Sequence, residues 1–340
     1  MRTKVYYIPT DTKPTKEKAL FSVSNVLNHR MFHLLRIYYG NQIVGIKPCR
    51  KDNYNYKKLN FVSQISNILR EQGVDVLLCD TTDRFIKRNS TAISAIEIAK
   101  CGGLDSSFPP LVILDGLKGN HSFIPDQENG EKTYLSGEIQ NLDGLIIISE
   151  PDTHELCGIT GALFNLGEGL ASKQGKISQY SMSKPRVNVT KCYTCRRCLH
   201  ACPVQAIYMT EKHIDIDKKK CINCGKCVEI ARFGGITYSW DATSEHFSSS
   251  ILRYAKRAYK ILNYRTIFIN FISDINNGKN DYSGILISRD PVAVDKASVD
   301  LLSKQTNDLS MDNKTIANLF DKAVSTGVGS LDYELVTVAY

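Results

Sequence analysis

Two stretches decide how this chain is read: KCYTCRRCLHACPVQAIYM, Lys191 to Met209, and KCINCGKCVEIARFGGI, Lys220 to Ile236. The first runs C-x2-C-x2-C-x3-C-P through Cys192, Cys195, Cys198, Cys202 and Pro203. The second repeats it at a constant offset. Lys191, Cys192, Cys195, Cys198 and Ile207 are answered by Lys220, Cys221, Cys224, Cys227 and Ile236. Ala231 stands where the fourth cysteine would recur, and Arg232 replaces the proline. This is the spacing with which three thiolates of a loop wrap one Fe–S cube while the fourth reaches a neighbouring cube.

The spacing has a physical reason. Two residues between cysteines let one tight turn aim successive sulfurs into the same cavity. Gly225 suits a backbone bent close to a cluster, whose sulfides accept hydrogen bonds from loop N–H groups. The competing reading, zinc knuckles, needs four ligands per site and shows paired C-x2-C units rather than triplets. Exchange of the fourth ligand gives one complete set: Cys202, Cys221, Cys224 and Cys227. The other set, Cys192, Cys195 and Cys198, meets Ala231 at its fourth corner. Three outcomes fit that second set. It holds a three-iron cluster or a cube with one open iron; it has decayed and binds nothing; or it borrows a distant cysteine, from Cys49, Cys79, Cys101 or Cys157. An open iron can act as a Lewis acid toward a substrate oxygen.

Composition sets the frame around this segment. At 340 residues the chain is long enough for a large core plus a small appended unit. Apolar residues make up 42% and charged residues 23%, as in an ordinary globular protein. A net charge of +8 is modest, and the tight basic groups, Lys13, Lys16 and Lys18, then Lys218 to Lys220, lack the Gly/aromatic pattern of an RNA-binding sheet. Nucleic acid is therefore not expected as a partner. Of eleven cysteines, seven lie in the motifs; the remaining four read as free thiols in a reducing compartment. The N-terminus MRTKVYYIPTD has no apolar signal region, and the longest apolar run, Leu145 to Ile148, is too short for a bilayer. A cytoplasmic location is expected, and an anaerobic one, since exposed clusters are oxygen-sensitive.

Outside the motifs, helices alternate with continuous apolar strands. Strands are expected at Val5–Ile8, Gln42–Lys47, Val74–Cys79, Leu111–Leu114 and Leu145–Ile148. Helices are expected over Thr15–Arg36, around Phe61, Ile65 and Leu69, and around Ile93, Ile96 and Ala99. After the cysteines the pattern resumes: helix at Phe247–Tyr264, strands at Thr266–Ile272 and Gly284–Ser288, a helix begun by Asp290-Pro291, another at Lys314–Val324, and a strand at Glu334–Ala339. The sum is an α/β fold with a mainly parallel sheet flanked by helices. The cysteine-rich unit is inserted in it as a small α+β module, with parts at 1–186, 187–238 and 239–340.

The segment from Glu150 to Arg186 is rich in glycine, yet it shows no G-x-G-x-x-G after a strand. His154 and Asn165 are its side chains best suited to meet a substrate, although a lone His is more often structural. In the helix after Asp290, Asp295 and Asp300 are expected on exposed positions.

GALFNLGEG (Gly161–Gly169), Gly175-Lys176, Lys184-Pro185-Arg186, the cysteine insertion and GILISRDPVAVDKASVDLL (Gly284–Leu302) together resemble the uncharacterised Fe–S-center proteins, known as domain of unknown function 362. The resemblance runs from about Ile43 to Leu302. It implies an α/β body with an inserted bacterial-type two-cluster ferredoxin module, two 4Fe–4S sites in all. His154, Asn165, Gly167, Gly169 and Lys176 match the family pattern. Family members often carry a His and a Lys within the stretch that is here Glu150 to Thr153, and a Lys where Phe164 stands.

Three functions compete on these grounds. The first is an Fe–S oxidoreductase passing electrons through the complete cluster to the three-Cys cluster and on to a small molecule, with His154 as proton donor and Asn165, Lys176, Asp290 and Asp295 as substrate or cluster contacts. The second is a non-enzymatic electron-transfer protein or subunit, docking an acidic redox partner through Arg196 and Arg197. The third is a sensor of oxygen or iron. Whether the chain is an enzyme, what its substrate and donor are, and its oligomeric state stay open at this level.

Overall fold

The structure, a computed structural model, describes residues 2–9, 32–48, 59–84, 91–125, 131–273, 282–305 and 313–338. The expected helix over Thr15–Arg36 lies outside them but for one turn, and Cys49 lies outside them altogether.

The body is built on β1 (Thr3–Pro9), a helical turn α1 (Phe32–Leu35), β2 (Ile43–Lys47), α2 (Leu59–Glu71), β3 (Asp75–Asp80), α3 (Ala92–Cys101) and β4 (Leu111–Ile113). A short hairpin, β5 (Ser122–Phe123) and β6 (Leu135–Ser136), leads to β7 (Gly144–Ser149). A second hairpin, β8 (Asp152–His154) and β9 (Gly158–Thr160), precedes α4 (Ala162–Gly167) and α5 (Lys173–Tyr180). The cysteine-rich segment contributes β10 (Arg186–Val187), α6 (Arg197–Ala201), β11 (Ile207–Met209), β12 (Ile214–Ile216), α7 (Lys226–Ile230) and β13 (Ile236–Thr237). The body closes with α8 (Ser244–Ile261), β14 (Thr266–Ser273), β15 (Tyr282–Ser288), α9 (Pro291–Gln305), α10 (Asn313–Ser325) and β16 (Tyr333–Thr337).

Among the described residues, eight strands form one sheet in the order β16-β1-β15-β14-β7-β2-β3-β4. β15 pairs antiparallel with both β1 and β14, and the other five pairings are parallel, so β15 runs against its neighbours. The fold is thus α/β with a mainly parallel sheet, as the sequence pattern implies.

The all-apolar strands follow from burial on both faces. In β7, Leu145 and Ile147 join the core beneath α4, α8, α9 and α10, while Ile146 and Ile148 join the core beneath α2. Alternate residues of a strand point to opposite faces, so a sheet covered on both needs apolar residues at every position. β14 shows the same two-sided burial over Thr266–Ile272, where the sequence reads as alternating. In α3 the packing face is alanine: Ala92, Ala95 and Ala99 are buried, whereas Ile93 is 62% exposed. Thr91 and Ser94 start that helix with a reciprocal capping box.

The cysteine-rich segment has a core of its own: Cys198, Ile207, Ile214, Ile216, Cys227, Val228 and Ile236. β10 pairs antiparallel with β13, so the chain enters and leaves this unit side by side. β11 and β12 form its second ribbon.

Candidate functional site

The sequence repeat of the cysteine segment is also a backbone repeat. Cys192 and Cys221 are 29 residues apart, and left-handed residues recur at that offset. Thr194 (φ 48°) matches Asn223 (φ 58°), Arg196 (φ 60°) matches Gly225 (φ 83°), and Gln205 (φ 50°) matches Gly234 (φ 74°). Non-glycine residues seldom adopt this region, so its recurrence at three positions marks two loops bent to one template. Each loop starts with the same turn. The Asn188 side chain accepts from Lys191 N, and the Asp217 side chain accepts from Lys220 N.

These loops gather the seven cysteines into two groups. Cys192, Cys195 and Cys198 line a cavity of about 170 Å³, together with Ala231, Arg197, Tyr193 and Phe233. Cys202, Cys221, Cys224 and Cys227 line a second, narrower cavity together with Pro203 and Gly225. All seven are free thiols. Among the described residues, no three His, Cys, Asp or Glu side chains are placed to hold a single metal ion. The thiols line the walls of the two cavities.

At three of these cysteines burial disfavours the thiolate. Burial pushes Cys227 up to about 12, with Cys224, Cys221, Cys198 and Cys202 adding to the effect. Burial also raises Cys198 and Cys224. A bound cationic centre would favour the ionised form of these three sulfurs. Cys202 is already prepared as an acceptor, since Ala206 N donates to its Sγ at 3.2 Å.

Ala231 reproduces the corner at Cys202. Cys202 has φ −75° and ψ 111°, Ala231 has φ −67° and ψ 121°, and each N–H bonds the carbonyl four residues back at 3.1 and 3.0 Å. The difference is one side chain. The other described cysteines stand elsewhere: Cys79 is buried in β3, Cys101 is exposed at the end of α3, and the Cys157 thiol donates to Ile159 O at 3.2 Å.

A polar cavity of about 350 Å³ lies at the carboxyl ends of β2, β3 and β7, where Lys47, Asp80, Ser149 and Glu150 reach its wall. β3 lies on one side of β2 and β7 on the other, so this is the place where the strand order reverses and where ligands bind in open α/β sheets. Lys47 Nζ donates to Asp80 at 3.3 Å, with both side chains buried. Lys176, from α5, donates to the Thr81 hydroxyl at 2.8 Å and to Thr82 O at 2.9 Å. Asn165, from α4, donates to Ile148 O at 3.2 Å. Asn165 and Lys176 thus line the same polar cavity. Lys47, Asp80, Asp83, Arg84 and Glu168 are members that sequence reasoning passed over. A signal for two of them exists: in QIVGIK and VDVLLCD a charge ends an apolar strand.

His154 and Asp295 are placed differently from expectation, while Asp290 takes the helix-starting position read from the sequence and does not line the polar cavity. His154 lies at the end of β8, stacked on Phe247 with ring centroids 5.3 Å apart, and it lines neither the polar cavity nor the two thiol cavities. Its Nδ1 accepts from the N–H groups of Leu156 and Cys157 at 3.2 and 3.3 Å. Burial lowers its pKa, which keeps the ring neutral and unsuited to give a proton. Asp290 caps α9, accepting from Val292 N and Ala293 N through Oδ1 and from Ser330 N through Oδ2. Asp295 is not on an exposed position: it is 1% exposed and accepts from Ala162 N, Leu163 N and the Asn270 side chain. A Cβ on Gly161 would lie 2.4 Å from its Oδ1, so only glycine lets the α4 backbone come this close.

A cleft of about 730 Å³ separates the body from the cysteine segment. Asp83 and Arg84 line both it and the polar cavity, while Ala231 and Ile236 line both it and the three-thiol cavity. An ion pair of 2.8 Å joins Lys173 of α5 to Glu229 of α7 across this boundary. The Lys173 backbone is held in turn by Asp115, which also takes both donors of Thr82.

Among proteins with known descriptions, the chain is 36% identical over 62 residues to an uncharacterized protein of Methanocaldococcus jannaschii, covering 18% of this chain and 24% of that one. It is 35% identical over 78 residues to a component of the selenate reductase of Mesobacillus selenatarsenatis, covering 20% of this chain and 27% of that one. Among solved structures it is similar to the lactate racemase apoprotein of Thermoanaerobacterium thermosaccharolyticum, with TM-score 0.47 and 12% identity over 89% of this chain and 58% of that one. A Thermotoga maritima protein gives TM-score 0.46 and 10% identity over 87% and 60%. The chain spans about a quarter of the curated relatives' length and about three fifths of those structures. No helix among the described residues is long and apolar enough to cross a membrane. The model of the family described as "Domain of unknown function (DUF362)" matches residues 44–300, most of the chain, and the protein belongs to that family.

Proposed function

We propose that this protein is an iron–sulfur redox enzyme in which residues 187–238 form a ferredoxin-like module docked on the α/β body. Cys202, Cys221, Cys224 and Cys227 would hold a 4Fe–4S cluster, and Cys192, Cys195 and Cys198 a second cluster, 4Fe–4S or 3Fe–4S, with no protein thiolate at Ala231. The residues fit such groups. In a cube each thiolate takes its own iron, so the ligands ring a volume, as these thiols do. When bound, the clusters would supply one-electron transfer, and an iron without a thiolate would supply a Lewis-acidic position.

One observation carries the reading. Ala231, the corner without a sulfur, lines both the three-thiol cavity and the cleft that leads to the polar cavity. A small molecule in that cleft would therefore meet the second cluster at its unligated corner. Arg84 would position it from the body side, held over the Tyr180 ring at 3.5 Å and 3.7 Å from Glu168. Lys47, Asn165 and Lys176 would orient whatever part enters the polar cavity. The name of one relative, a selenate reductase component, is that of a redox protein and agrees with this class of chemistry.

The test is iron and sulfide content with EPR on protein prepared without oxygen. About seven or eight irons per chain, with a three-iron signal that converts to a cube on adding iron, is the expected result. About four irons with only an ordinary reduced-cube signal would overturn the second cluster and the enzyme reading with it.

An electron-transfer subunit is the second reading, and one surface favours it. Tyr193 and Phe233, 74% and 73% exposed, pack edge to face at the mouth of the three-thiol cavity, and Arg196, Arg197 and Arg232 lie in the same two loops. Exposed rings amid cations would suit an acidic redox partner. Electron transfer that slows with rising salt and with charge reversal at Arg196 and Arg197, in the absence of any substrate turnover, would select it.

A further inference from the structure

We infer that the Tyr238 hydroxyl donates a hydrogen bond to the cluster held by Cys202, Cys221, Cys224 and Cys227, and so sets its reduction potential. This rests on the Fe–S reading of that site.

The hydroxyl is buried and has no hydrogen-bond partner among the described residues. A phenol buried in that state loses its bonds to water and gains nothing, so such groups are rare unless a missing acceptor completes them. Its position names the acceptor. A Cβ on Gly225 would lie 3.0 Å from the Tyr238 oxygen; Gly225 directly follows Cys224 and stands between the four-thiol cavity and the cleft, and Tyr238 packs against the small core that holds Cys227 with Cys202 and Cys221 beside it. Gly225 is left-handed, with φ +83°, so the loop both bends there and leaves the room in which the phenol oxygen sits. Burial keeps the proton on this phenol, so the hydroxyl is a donor. The ring is fixed by Trp240, with centroids 5.3 Å apart. Tyr238 also forms part of the cleft wall, with its oxygen buried.

The consequence has a definite sign. A donor to cluster sulfur stabilises the more negative, reduced state and raises the potential. The three-thiol cavity is lined instead by Tyr193 and Phe233, both exposed. Tyr238 would thus separate the two sites in potential.

The experiment is Tyr238→Phe on the full chain with clusters reconstituted without oxygen. Iron content is counted first, and then the potential is measured by EPR-monitored titration. The expected result is unchanged iron and a midpoint of the four-thiol cluster lowered by about 59 mV, a tenfold change in the one-electron equilibrium. An exchangeable proton coupled to the reduced cluster in the native protein should vanish in the variant, which a purely structural tyrosine would not cause. Full iron with an unmoved midpoint and an unchanged proton coupling would overturn the inference while leaving the Fe–S reading intact. Absence of iron from the native protein would overturn both.

Discussion

At Cys202 and at Ala231 the backbone turns alike, makes the same N–H bond back to the preceding helix, and ends a five-residue helix in both cases. One corner carries a sulfur and the other a methyl group. The cavity at Cys202 is narrow and flanked by Pro203 and Gly225; the cavity at Ala231 is roomier and shares its wall with the cleft. The turn is the same at both corners, and the sulfur is the difference between them.

That comparison can be broken at either corner. Ala231→Cys supplies a thiol on a backbone already set for it. The three-iron signal should disappear, iron should rise toward about eight per chain, and turnover of any substrate should fall at least tenfold. Cys202→Ala should do the reverse, giving the four-thiol site the labile iron of its neighbour. If Ala231→Cys changes neither iron content nor EPR signal, the two corners are not equivalent.

A second contrast sets the buried acid Asp295 against the cavity residues. Asp295→Ala would strand the N–H groups of Ala162 and Leu163 and should cost about 3 kcal/mol in denaturant unfolding. Burial raises the carboxyl from 3.8 to about 6, so between those values the folded chain binds the proton that the unfolded chain releases. Stability contributed by this group is complete below the lower value and is lost as pH rises through about 6, by up to about 3 kcal/mol. Asp295→Asn should flatten that slope.

His154→Ala tests the same division from the other side. It should lower stability by about 1–2 kcal/mol through lost stacking and lost acceptance from two N–H groups, while cluster reduction rates stay unchanged. The smallest effect belongs to Glu229→Gln. Its ion pair with Lys173 is partly exposed on the acid side and should be worth less than about 1 kcal/mol, read as faster proteolysis between the body and the cysteine segment.

The sequence made the thiol site legible because its chemistry is local. Spacing within one loop fixes which sulfurs turn inward, and the repeat exposes Ala231 as the departure. The strands of the sheet were legible for a related reason, since burial on both faces forces an unbroken apolar run. The polar cavity was not, because Lys47, Asp80 and Glu150 are far apart in the chain and meet only through the order β7-β2-β3. A titratable side chain read without its neighbours is equally ambiguous. His154 and Asp295 have the right chemistry for a site, yet packing placed one against Phe247 and the other beneath α4.

Taken alone, then, the sequence determined the seven thiols, the two loops that carry them and the alternation of strands and helices, since each depends on residues close along the chain. Only the tertiary structure decided that Ala231 faces the cleft, that the cleft runs to the carboxyl ends of β2, β3 and β7, and that the Tyr238 oxygen is left without a partner among the described residues. Those are relations between surfaces brought together by folding, and no local pattern encodes them.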